Sequence, residues 1–317
     1  MSSSKLPFLR HAYAMAVGAT AGLTAGLVGW GAAQVIIPSM IYPSPLASYS
    51  QLSATGISLS ALSLSSISSG YRFWTDNKVN IPIALGIGIP AVFSARVGSH
   101  FAKKLSGNAL ELFFNGFSLV LIPTHFWIQQ RRAASSSVKD VHREIAEVCK
   151  SGNGLFSLTE DCKESASIKA TTNNITSLER IASLTMNNKL IWQHASFGLF
   201  SGVLSALMGV GGLPITMSYL TVSCPELHQH EIQGTAMVAL IPSILMSAGS
   251  RMSAIPPSAT ACVAVGAFGG GLAGAKIALI LSEEQLRYAF MGSLVLFGGI
   301  SMRGAIRNIQ RIYSKMH

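Results

Sequence analysis

The 317-residue sequence predicts an all-α membrane protein of about eight transmembrane helices, arranged as two homologous four-helix repeats with a broken first helix in each. Three observations predict it: scarcity of charge, long apolar runs and an internal repeat. Only 11% of the residues are Asp, Glu, Lys or Arg while 49% are hydrophobic, against about 25% charged in an ordinary soluble domain. Of its 23 basic and 13 acidic residues, 16 crowd into residues 131–190 and 6 sit at the ends, at Lys5, Arg10, Arg303, Arg307, Arg311 and Lys315. That leaves 14 for the other 231 residues between 12 and 302. A water-exposed surface cannot be built at that density, which excludes a soluble enzyme or cytosolic α/β domain. The high, periodic apolar content excludes disorder.

A hydrocarbon core of about 30 Å needs roughly 20 apolar residues as helix. Eight runs reach that length, near 12–41, 48–70, 81–102, 108–129, 190–221, 230–250, 257–281 and 284–302. They lack the period-2 alternation of barrel strands, so they are read as helices. Their Gly and Ser content suits close helix packing in a membrane. Lys5 and Arg10 before an apolar run imitate a secretory signal, but the run continues through Pro38 and recurs later in the chain, so it is read as the first span.

Orientation follows the distribution of Lys and Arg. If every run crosses fully with the N-terminus in the cytoplasm, 18 of the 23 basic residues face inward, and only Lys103, Lys104 and Arg287 fall in outer loops. If the first and fifth runs instead return to their side of entry, the basic residues split nearly evenly, so full crossing is favoured. The expected organisation is a cytoplasmic N-terminus (1–11), a first transmembrane repeat (12–130), a polar cytoplasmic linker (131–189), a second repeat (190–303) and a basic cytoplasmic tail (304–317). On this topology the sequon Asn174-Ile175-Thr176 is never glycosylated.

The net charge of +10 does not mark a nucleic-acid protein, because the basic residues flank apolar runs and are not interleaved with stacking aromatics. Cys149, Cys162, Cys224 and Cys262 have neither CxxC nor Cys/His ligand spacing, so no metal site and no disulfide framework is expected. No cofactor is expected either.

The repeat is the most informative pattern. Residues 21–38 align with 201–218 at an offset of 180, placing Gly22, Gly29 and Gly31 on Gly202, Gly209 and Gly211. The same offset pairs Ala54-Thr55 with Gly234-Thr235, and a shorter one pairs Gly98, Ser106, Leu110 and Phe114 with Gly274, Ser282, Leu286 and Phe290. Gly-interrupted helices at corresponding positions of two halves are a transporter signature, with the site where the halves meet. Gly29-Trp30-Gly31 and Gly209-Val210-Gly211-Gly212 can leave helical geometry cheaply and expose N–H groups at the next half-helix. Such a terminus holds an anion without a buried cation. Close helix packing is the competing reading of these glycines. No Lys-Ser/Thr follows them, so neither is a P-loop.

With these motifs in view, the sequence resembles the sulfite exporter TauE/SafE family of membrane transporters. The family's repeated G-x-G-G-G-x-x-x-x-P stretch is matched closely by Gly209-Val210-Gly211-Gly212-Leu213-Pro214-Ile215-Thr216, with Leu213 for the last Gly and Ser218 at the usual Pro. The first copy keeps Gly29, Gly31 and Pro38 but carries Ala32 and Ala33 for two glycines. A later G-T-S-L-like stretch is matched by Gly234-Thr235-Ala236-Met237 and by Ala54-Thr55-Gly56-Ile57; a G-A-R/K element is matched by Gly98-Ser99-His100 and Gly274-Ala275-Lys276. The resemblance implies a secondary transporter of a small anion, such as sulfite, a sulfonate or another organosulfur compound, working by alternating access. Its partners are then the lipid bilayer and a small anionic substrate, with homo-oligomerisation left open.

The candidate substrate-binding residues are Gly29, Gly31, Gly209, Gly211, Gly212, Thr55, Thr235, Arg96, His100 and Lys276. The threonines offer hydroxyls at the heads of the second helices, against back-bonding within their own helix. His100 and Lys276 occupy equivalent places, where the alternative is snorkelling to the interface; Arg96 lies deeper in its run. No catalytic residue is expected. Gly198-Leu199-Phe200-Ser201-Gly202 with His194 imitates a serine-hydrolase motif but misses its spacing by one residue, and no span contains an Asp. A non-transporting scaffold is the remaining alternative.

Overall fold

The computed structural model describes residues 5–29, 32–41, 49–117 and 188–293, with isolated positions between 119 and 130 and between 295 and 306. Trp30, Gly31, His125, the sequon, Cys149, Cys162, nearly all of the linker and most of the basic tail lie outside the described residues. Every regular element described is helical: α1 (Lys5–Val28), α2 (Ala33–Ile41), α3 (Gln51–Thr75), α4 (Ile81–Lys104), α5 (107–117), α6 (Asn188–Met208), α7 (Leu213–Ser223), α8 (Gln229–Ser250), a 3-10 turn (Met252–Ala254), α9 (Pro257–Ile280) and α10 (283–293).

Among the described residues, five helical stretches are long and apolar enough to cross a membrane: Phe8–Val28, Ile81–Lys104, Leu190–Met208, Gln229–Ser250 and Pro257–Ile280. The 25-residue α3 is not among them, because serines from Ser53 to Ser69 dilute its apolar content. Its burial supplies the reason. Ser58, Ser65, Ser66, Ser68 and Ser69 are all buried, so protein rather than lipid meets this face. Ser50 and Asn80 begin α3 and α4, each accepting from the backbone N–H three residues on, as N-caps do.

The direction of each helix can be read from its contacts. Gly18, Gly22 and Gly26 of α1 meet Val263, Ala267 and Gly271 of α9 in that order, so the two run parallel. They approach so closely that a Cβ on Gly22 would lie 2.2 Å from the Ala267 carbonyl oxygen, a backbone contact that only glycine permits. Gly198 and Gly202 of α6 meet Ile87 and Ala91 of α4, a second parallel pair. The central helices α3 and α8 are antiparallel: Gly56 touches Arg251 and Ile255, whereas Gly70 touches Val238 and Ile241. His230 at the head of α8 reaches the Ala278 carbonyl at the end of α9, 3.0 Å away, so α8 and α9 form an antiparallel hairpin.

These relations correct one expectation. Since α1 follows α9, α9 opposes α8 and α8 opposes α3, helices α1 and α3 run the same way, and the chain must reverse between them. The break before α2 is that reversal; Tyr49 N–H donates to the Met40 carbonyl at 3.0 Å as the chain comes back to the head of α3. In the same way α6 and α8 share a direction, both parallel to α4, and α7 is the return. The first and fifth apolar runs therefore turn back and do not make the single full crossings expected of them. The order long helix, break, short helix, two long helices occurs twice, in opposite senses.

Candidate functional site at the two helix breaks

Each break is built on left-handed glycines. Gly29 has φ 74°, and Gly209, Gly211 and Gly212 have φ 75°, 76° and 71°, a region that costs other L-residues roughly 1–2 kcal/mol each. Gly29 and Gly209 close the preceding helices by donating to the Ala25 carbonyl (2.8 Å) and the Ser205 carbonyl (3.0 Å). Both are buried. A Cβ on Gly29 would fall 2.3 Å from Met217 Sδ of α7, which places the first break against the second half's return helix. A Cβ on Gly211 would meet Leu62 of α3 and Ile244 of α8, both at 3.2 Å, so the second break sits between the central helices.

A break inside a packed core leaves the last carbonyls of one helix and the first N–H groups of the next without intrahelical partners. Side chains satisfy the carbonyls at equivalent positions. Gln233 Nε2 donates to the Gly26 carbonyl at 2.7 Å. In the other half Arg251 Nη2 donates to the Ala206 carbonyl, 180 residues on from Gly26, and Nη1 donates to Thr55 Oγ1 at 2.5 Å. Arg251 is fully buried, the one Lys, Arg, Asp or Glu among the described residues that is. Ser58 Oγ donates to the Gly209 carbonyl at 3.1 Å. Thr235 Oγ1 accepts the Asn80 N–H at 2.9 Å, so each of the two threonines receives a donor from the loop that ends the opposing central helix.

First-turn N–H groups without intrahelical partners open the short helices. Gly212 is the N-cap of α7 with no side-chain cap, and Pro214 in the first turn has no N–H to leave unsatisfied. The buried Gln34 stands in the first turn of α2. Both termini carry the positive end of a helix dipole into the region where the halves meet.

The sequence-predicted residues divide into two groups. Gly29, Gly209, Gly211, Gly212, Thr55 and Thr235 are buried around the breaks; Gly31 lies outside the described residues. Arg96, His100 and Lys276 are exposed. Gly98 and Gly274 face the neighbouring helix, and two residues along a helix is about 200° of rotation, so these cations point to the other side. Sequence reasoning missed Arg251, Gln233 and Asn80. A Gln in an apolar run, two residues before Thr235, was the available signal. Nothing marked Arg251, whose partners are the Ala206 and Leu207 carbonyls and the distant Thr55 hydroxyl. The hydrolase-like motif separates: Ser201 Oγ donates to the Gly198 carbonyl of its own helix, and His194 Nδ1 pairs with Tyr219 Oη at 2.9 Å.

Long apolar helices interrupted by buried breaks define a multi-pass integral membrane protein. The chain belongs to the sulfite exporter TauE/SafE family, a family of membrane transporters, whose profile matches residues 14–302. No curated protein and no solved structure matches it significantly.

Proposed function

We propose that the protein is a secondary transporter of a small anion, either sulfite, a sulfonate or another organosulfur compound, working by alternating access between two homologous, inverted halves. The observation that carries this reading is the pair of buried, positive-φ glycine breaks that meet at the central helices. The N-termini of α2 and α7 would cradle the anion with their first-turn N–H groups and positive dipole ends, backed by Gly29, Gly31, Gly209, Gly211, Gly212, Thr55 and Thr235. Arg251 holds the second break open and adds a positive charge beside it. Arg96, His100 and Lys276, exposed on α4 and α9, would attract anions or anchor the helices at the interface rather than line the central site. The chain carries no P-loop, so an ion gradient or the substrate's own gradient would drive transport.

Inverted halves with a reversal in each also change the expected sidedness. An odd number of membrane segments per half would put the linker on the face opposite both termini, in place of the shared cytoplasmic face expected from full crossings. The function is tested by flux of sulfite, sulfate and small sulfonates into proteoliposomes of the purified protein. Saturable flux of a sulfur oxyanion is expected; none for any anion would favour a non-transporting scaffold.

A further inference from the structure

The two breaks match in geometry but not in charge. Each ends a helix whose last carbonyls carry about half a negative charge. At the second break Arg251 brings a fixed cation to those carbonyls, reaching Ala206 and, at 3.5 Å, Leu207. At the first break the donor to the equivalent Gly26 carbonyl is the neutral amide of Gln233. That carbonyl can only accept, which fixes the amide with Nε2 on Gly26 and Oε1 turned away. Gln233 has no exposed surface, and its Oε1 has no hydrogen-bond partner. Its side chain lies against the break, with Cγ 3.3 Å from where a Gly29 Cβ would stand. α1 ends at Val28, which brings its last-turn carbonyls to the break.

Acceptor oxygens without donors, buried at the negative end of a helix, satisfy a small hard cation and repel an anion. Glu231 is two residues from Gln233, about 200° around α8 and so on its other side, where Oε2 accepts the His228 N–H at 3.1 Å. The oxygens left for a ligand are therefore neutral, a set suited to a monovalent ion. We propose that the first break binds a monovalent cation of the sodium class through Gln233 Oε1 and the last-turn carbonyls of α1, where the second break carries Arg251 as a built-in charge. Use of that ion to drive transport rests on the transport reading above; its binding does not.

The test uses full-length purified protein without added anion substrate: binding of radiolabelled sodium, and thermal unfolding in sodium, potassium or choline chloride at one ionic strength. Wild type is expected to bind sodium saturably and to unfold roughly 2–5 °C higher in sodium than in choline. Gln233→Leu should lose both effects. Gln233→Lys, which supplies the fixed charge, should unfold in choline no lower than wild type and ignore sodium. Absence of saturable sodium binding by wild type would overturn the site, as would undiminished binding by Gln233→Leu. Should Gln233→Leu not fold, the Gln233→Lys protein decides: retained sodium binding there overturns the proposal. Sodium binding by a protein that moves no anion would refute the transport reading alone, and anion flux by a protein that binds no sodium would refute this site alone.

Discussion

At Arg251 a guanidinium without exposed surface joins a helix end to the head of another helix 196 residues away in sequence, through Thr55. Removing it leaves the Ala206 carbonyl buried without its donor, a loss of about 1–3 kcal/mol. Arg251→Met should therefore lower the thermal stability of the purified protein by about that amount, while Arg96→Ala, on an exposed face, should change it by less than about 0.5 kcal/mol. Equal effects of the two would contradict the placement of Arg251. Cys224 gives a pH-dependent check on the loop between α7 and α8. Burial, with Glu226 adding repulsion, pushes its thiol up to about 11. The folded protein then keeps it protonated at neutral pH, and maleimide should label it only after unfolding. Its contribution to stability should fall as pH rises from the free-thiol range toward 11, because there the unfolded chain has released the proton that the folded one retains. Thr55 and Thr235 were legible in the sequence because the repeat pairs them. Gln233 and Arg251 were not, because each reaches a main-chain carbonyl, 207 and 45 residues distant, and no side-chain pattern records a carbonyl.

Among the elements, the breaks were legible and their consequence was not. Gly29 and Gly209-Val210-Gly211-Gly212 announce an interruption, and the left-handed glycines supply it. Whether the chain then continues across or turns back depends on tertiary packing, α2 lying on α3 and α7 on α8, and no local pattern records that choice. The serine content of α3 had the same cause: a helix hidden among others need not be apolar. The close pairing of α1 with α9 makes a direct prediction. On α9, Gly270→Leu should abolish the folded state, while Gly269→Leu should be tolerated, because nothing lies within 4 Å of a Cβ there.

At the scale of the whole molecule, each half's first helix packs on the other half's third long helix, α1 on α9 and α6 on α4. The halves are interlocked, and alternating access would move the central helices and breaks within that frame. On the proposed sidedness, an odd number of membrane segments per half would place the linker and the C-terminus on opposite faces. An epitope in the linker and one at the C-terminus should then differ in accessibility to antibody in sealed vesicles; labelling of both from one side would restore the full-crossing topology. The central claim is that the glycine breaks form the anion site. Its most direct test is sulfite flux in proteoliposomes carrying equal amounts of folded wild type, Gly211→Ala or Arg96→Ala. The Gly211→Ala substitution strains a left-handed position beside Leu62 and Ile244, and is predicted to cut flux at least tenfold, equivalent to about 1.4 kcal/mol, with Arg96→Ala near wild type. Wild-type flux in Gly211→Ala, with loss in Arg96→Ala, would contradict it.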